Sequence, residues 1–160
     1  MENNNFDINK ANQKLFWKEI NLYKNFENDI ANQNKDLEII RANIVSLEKI
    51  INDIDQNIFN LQNQAKELQI KVQNEMGDEQ TNTNNHLMHV QQLITNSMND
   101  YQTQYARLYD LKAEESNKNL YIINLRNQQK LIQEKIEKNT QKEIENQKYY
   151  QQVNLNNNYS

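Results

Sequence analysis

His86 and His89 are the chain's two histidines, spaced three apart, so they would share one face of a helix and could clip a metal ion between them. A zinc centre needs three or four ligands, and the chain has no cysteine and no third histidine to complete one. The expected reading is two exposed helix residues, with no metal and no cofactor. Tyr101, Tyr105 and Tyr109 recur every four residues and could stack on nucleic-acid bases. Arg107 is the one basic residue among them, with no interleaved run of lysine or arginine to hold a phosphate backbone, so packing is the expected role and no nucleic-acid partner is expected. The acidic side chains are spread as helix surfaces carry them. No glycine-rich phosphate loop and no nucleophile paired with a base accompanies them, and no catalytic residue is expected: the chain does not read as an enzyme.

The elements that would position these residues follow from composition. In 160 residues there is no proline and one glycine, Gly77. Average usage would supply roughly eight prolines and eleven glycines, so this chain has few turns to make. Apolar residues make up 36% of it, and asparagine and glutamine together about a third. A thick core is out of reach at that polarity, but a narrow apolar stripe along a long helix is not. Asparagine costs a helix up to about 0.7 kcal/mol relative to alanine, so association must hold the helices. The net charge is −4, with both signs mixed along the chain. No secretory signal and no apolar run of about 20 residues is seen, which predicts a cytoplasmic protein, of the cytoskeleton or cilium, without direct membrane insertion.

From Phe16 the apolar residues keep a seven-residue repeat. The a positions are Phe16, Tyr23, Ile30, Leu37, Ile44, Ile51, Ile58, Ala65 and Val72, and the d positions include Phe26, Ile40, Leu47, Ile54, Leu61 and Leu68. Alternation of threes and fours over about eight heptads is the pattern of a coiled coil, whose apolar seam faces a partner helix. β-Branched residues at a with leucine at d favour a parallel two-stranded pairing. Gln33 is a polar residue inside this seam, a feature in which it resembles SNARE helices with their central glutamine layer. That comparison implies a membrane-trafficking tether or bundle component as the alternative function. Ile39, Val45, Ile50, Phe59 and Ile70 lie off the seam. Val45 and Phe59 share the b position, which suggests a second contact face. Phe16, Trp17, Ile20 and Tyr23 form the densest aromatic patch, of the kind that anchors interfaces.

The segment 76–85 holds Gly77 and breaks the repeat, which predicts a hinge or loop there. In the second helix Leu87, Ile94, Met98, Tyr101, Tyr105 and Leu108 keep a heptad. Leu111 comes one residue early, and Ile122, Leu125, Ile132 and Ile136 continue in a new phase, which reads as a stammer with a weak middle at about 112–119. Glu115 and Lys118 would sit on the seam in that middle. The stretch Tyr101-Gln-Thr-Gln-Tyr105-Ala-Arg-Leu108, with Ala113-Glu114, resembles the C-terminal part of the small coiled-coil subunit of intraflagellar transport trains. The resemblance covers a small part of the chain and bears on location alone.

The expected fold is all-α: a weakly ordered N-terminus at 1–15, a coiled-coil helix at 16–75, the hinge at 76–85, a second coiled-coil helix at 86–148 and a disordered tail at 149–160, with no globular core. Folding back would set Glu115 and Lys118 against the best apolar part of the first seam, so an extended rod paired along its length is favoured over a closed hairpin. The expected function is that of a structural or adaptor subunit in a larger assembly. It would act by burying its seam against other coiled-coil chains, identical or different.

Overall fold

A computed structural model describes residues 2–159, with the side chains of Lys10 and residues 12–159. Two α-helices account for nearly all of it: α1, Glu2–Asn74, and α2, Gly77–Asn158. No strand occurs among the described residues. Both helices are longer than the sequence pattern predicts. With no proline anywhere and no glycine but Gly77, nothing stops α1 in its Asn-rich start or α2 in its Asn/Gln-rich end. Propensity alone penalises asparagine too mildly to do so. Met1 and Ser160, the ends of the two terminal segments, lie outside the described residues.

The expected hinge at 76–85 shrinks to the link Glu75–Met76. Gly77 turns the chain with φ at +64°, in the left-handed region that suits a residue without Cβ. Helix resumes at once because the sequence after it fits a helix start. Asp78 and Glu79 place negative charge at the positive end of the helix dipole. The Thr81 hydroxyl bonds back to the Gly77 carbonyl at 3.3 Å. On the other side of the link, Gln80 Nε2 donates to the Val72 carbonyl at 3.0 Å and satisfies one of the acceptors that a helix end leaves open.

The chain divides into two units, and each helix contributes to both. The first, Leu37–Asn117, is an antiparallel helical hairpin. Its cross-helix contacts climb away from the link: Thr83 Oγ1 donates to Glu75 Oε2, Asn57 Nδ2 to Ser97 Oγ at 3.4 Å, and Arg41 Nε to Glu115 Oε1 at 2.8 Å. Separation in sequence rises along this series from 8 residues to 74, as folding back requires. The unit's apolar interior falls into two clusters. Nearest the link, Ala65 and Leu68 of α1 meet Leu87 and Val90 of α2. Further along, Ile40, Ile44, Leu47 and Ile51 gather around Leu108, with Tyr101 and Leu111 packed against them.

The second unit joins the α1 residues up to Asp36 to the α2 residues from Lys118 onward, again antiparallel. Lys118 Nζ donates to Asp36 Oδ2 at 3.1 Å, and Asn139 Nδ2 to the half-buried Glu19 Oε2 at 2.8 Å. Ile122 and Leu125 are its buried apolar residues.

The extended rod is thus overturned, and the reason lies in the charges that argued for it. Glu115 and Lys118 do not face bare isoleucine and leucine. Each reaches sideways to an opposite charge, Arg41 and Asp36 respectively, and Lys112 reaches Glu48 at 2.8 Å. That contact holds the Lys112 ammonium above its ordinary pKa, chiefly through its hydrogen bond to the Glu48 carboxylate. Closing a seam across a two-residue link also avoids the translational entropy cost of recruiting a second chain.

These pairs are substantially exposed, so each contributes little to stability, but together they oppose a shift of register. Glu115→Arg should cost up to about 1 kcal/mol by setting like charges face to face, and Arg41→Glu in the same chain should restore most of it. A double-mutant cycle in urea measures the coupling. A coupling of zero would mean that the pair has no part in setting register.

Candidate partner-binding surface

Burial along α1 follows the sequence seam. Leu37, Ile40, Ile44, Leu47, Ile51, Ala65 and Leu68 are buried, while Phe16, Tyr23, Phe26, Ile30, Ile54, Ile58, Leu61 and Val72 are half-buried. In the hairpin unit the partner of these residues is the chain's own α2. The surface expected to recruit another chain is therefore largely consumed by folding.

Along α2 the structure corrects the seam. Apart from Asn119 and Val153, the less exposed residues from Thr83 are 83, 87, 90, 94, 97, 101, 104, 108, 111, 115 and 118, and 122, 125, 129, 132, 136 and 139 continue the same three–four alternation. There is no stammer. Leu87, Ile94, Tyr101, Leu108, Ile122, Leu125, Ile132 and Ile136 are on this line, but Met98 and Tyr105 are not, at 47% and 55% exposed. The positions they were expected to fill belong to Ser97 and Gln104, and the line includes Val90, which is 1% exposed and missing from the expected seam. An apolar methionine or tyrosine next to a polar serine or glutamine pulls a hydrophobicity-based reading one residue out of register. The correct phase could have been found by counting back from Ile122 and Leu125 in threes and fours.

Met98 and Tyr105 instead stand beside the seam, on the outer face of α2. Tyr109 lies one turn beyond Tyr105 and is 73% exposed. The Tyr101 and Tyr105 rings stack with centroids 6.0 Å apart and planes 17° from parallel. With Gln102, Ala106, Tyr109 and Asp110 they line a shallow, open, mostly apolar groove. Tyrosine offers a large flat apolar area with a polar tip, and Tyr and Met are both enriched where proteins meet.

On α1, Val45 and Phe59 are exposed at the shared b position expected for a second contact face, as are Ile39 and Ile70. Trp17 is exposed while Phe16, Ile20 and Tyr23 are half-buried, so the aromatic patch divides between packing and solvent. Gln33 is half-buried, and His86 and His89 are exposed. No group of three metal-ligating side chains occurs among the described residues. No described helix is long and apolar enough to cross a membrane.

Comparison with models of known protein families, with curated proteins and with solved structures gives no match for this chain.

Proposed function

We propose that the chain is a coiled-coil adaptor: a helical hairpin that spends its heptad seam on itself and docks other helices on its outer surface, as a structural subunit of a larger assembly. The observation that carries this reading is the stripe of Met98, Tyr105 and Tyr109 on the outer face of α2, with its groove over Ala106. Single exposed apolar residues are ordinary on a protein surface. Several large ones at helical spacing, bordering a groove, match the apolar faces that helices use to add a further helix. The mechanism is burial of that stripe in a partner's own apolar face. The tyrosine hydroxyls remain at the wet rim, where they need no buried partner.

The test separates docking from folding. Met98→Glu with Tyr109→Glu changes two exposed positions, so the helical circular dichroism signal and the melting temperature should stay within a few degrees of the parent. Cross-links from Lys112 and its neighbours to other chains, mapped by mass spectrometry in the native assembly, should be lost. Cross-links that persist unchanged in the double variant would refute the outer-face reading. Pelleting of the protein with lipid vesicles would instead favour a membrane tether.

A further inference from the structure

The bonds and clusters that hold the hairpin unit together run between α1 and α2, and two residues, Glu75 and Met76, separate those helices. Gly77 alone has a positive φ among the described residues. Bringing Gly77 to the helical region, near −63°, together with the two link residues Glu75 and Met76, would let α1 run on into α2. The main chain would lose nothing. The Val72 carbonyl, capped now by Gln80, would take the Met76 N–H instead, and the carbonyl of Gln73 would take the N–H of Gly77. An α1 that no longer reaches its own α2 meets the same residues on the α2 of a second copy. Arg41 then faces Glu115 of that copy, Glu48 faces Lys112, and the Val90 cluster re-forms twice. Each contact is one already made within the hairpin, and because the inward positions of α1 (68, 72, 75) and α2 (83, 87, 90) are one residue out of step on a continuous helix, the exchanged coil takes up a one-residue skip across 75–83.

Two features hold the chain closed. Glycine tolerates φ at +64° at no steric cost. Charge is the second. In an exchanged pair Glu75, Asp78 and Glu79 of both copies would gather within about two turns of the two-fold axis. Lys71, one turn before Glu75, is the one basic side chain near them and no lysine or arginine follows until Arg107, so the carboxylates outnumber it three to one in each copy. We propose that the Gly77 link is a gate between two closures of one seam: the hairpin, and an antiparallel dimer in which two copies exchange their α2 segments. The partner here is a second copy of the chain, bound through the seam and independently of the outer tyrosine stripe.

Gly77→Ala tests this cleanly. A Cβ at this position meets no atom within 4 Å, so the substitution acts through backbone preference and not through collision. Alanine disfavours the left-handed conformation and favours continuous helix, in both copies of a dimer. Sedimentation equilibrium of the full chain should show dimerisation tightened by about 30-fold relative to the parent. Raising salt should tighten it in the parent as well, by screening the carboxylates. The chain has no cysteine, so Asn57→Cys with Asn96→Cys gives a unique pair of spin-label sites. Diluted into unlabelled protein, the labels should move from the spacing of adjacent helices, about 10 Å between axes, to about 60 Å along one continuous helix. No tightening in the alanine variant, or a dimer that keeps the short distance, overturns the proposal. Should the alanine chain be unfolded by circular dichroism, Asp78→Asn with Glu79→Gln must tighten dimerisation at low salt, and its failure to do so overturns the proposal equally.

Discussion

Ile51→Asp is expected to lower the melting temperature by about 10 °C or more, while Asn52→Asp leaves it within a few degrees. Ile51 is buried in the cluster that joins Ile40, Ile44 and Leu47 to Leu108. A carboxylate there would lose its hydration among apolar side chains. No basic residue belongs to that cluster, so the aspartate would have to take up a proton or push the helices apart. Either route costs on the order of 3–5 kcal/mol, a large share of what holds a two-helix unit together. Asn52 is exposed, and a charge at its position stays in water. Thermal melts followed by circular dichroism compare the two variants. Equal shifts would mean that the seam of α1 does not face inward at Ile51.

The second large effect is expected at Val90, the most completely buried large side chain described. Val90→Asp should cost as much as Ile51→Asp, because Val90 packs with Ala65, Leu68 and Leu87 and has no solvent path. Met98→Asp is the informative comparison. A heptad reading of the sequence puts Met98 on the seam and passes over Val90, whereas the structure leaves Met98 about half exposed. The substitution at 98 should therefore cost less than about 1 kcal/mol. Urea denaturation of the two variants decides between the phases. A larger loss at 98 than at 90 would restore the seam read from hydrophobicity and discard the one seen in the structure.

The difference between the two helices explains how far the sequence could be read. In α1 almost every inward position is apolar, from Phe26 through Val72, so hydrophobicity and burial coincide and the phase is plain. In α2 the inward line includes Ser97, Gln104, Glu115, Lys118 and Asn139, and hydrophobicity no longer marks it. Those polar residues are tolerated because a seam between only two helices lies close to water along both flanks. Glu115 and Lys118 lay their stems on the seam and send their charges outward to Arg41 and Asp36. The fold-back itself was legible in those charges. Asp36 with Lys118, Arg41 with Glu115 and Glu48 with Lys112 are opposite pairs whose members approach one another along the chain, as only an antiparallel arrangement brings together. The preference of β-branched a residues for parallel dimers pointed the other way, but that preference was established for separate chains and does not weigh against a two-residue link. The outer tyrosines stand out in the sequence by their spacing. Their division into a stacked ring beside the seam and an exposed stripe follows from Ser97 and Gln104 turning inward, which hydrophobicity does not mark.

The cluster of Ala65, Leu68, Leu87 and Val90 has a consequence for how the hairpin comes into being. Its members are separated by little more than the link and the first turns of each helix, so bringing them together closes a short loop. The cluster around Leu108 closes one several times longer. Because the entropic cost of closure grows with loop length, ordering starts beside Gly77 and proceeds outward, each new pair of turns meeting its partner already nearby. Chain growth on the ribosome supplies the residues in the same sequence: once Val90 has emerged the first contacts can form, and every later residue of α2 adds to a zipper whose other half is already waiting.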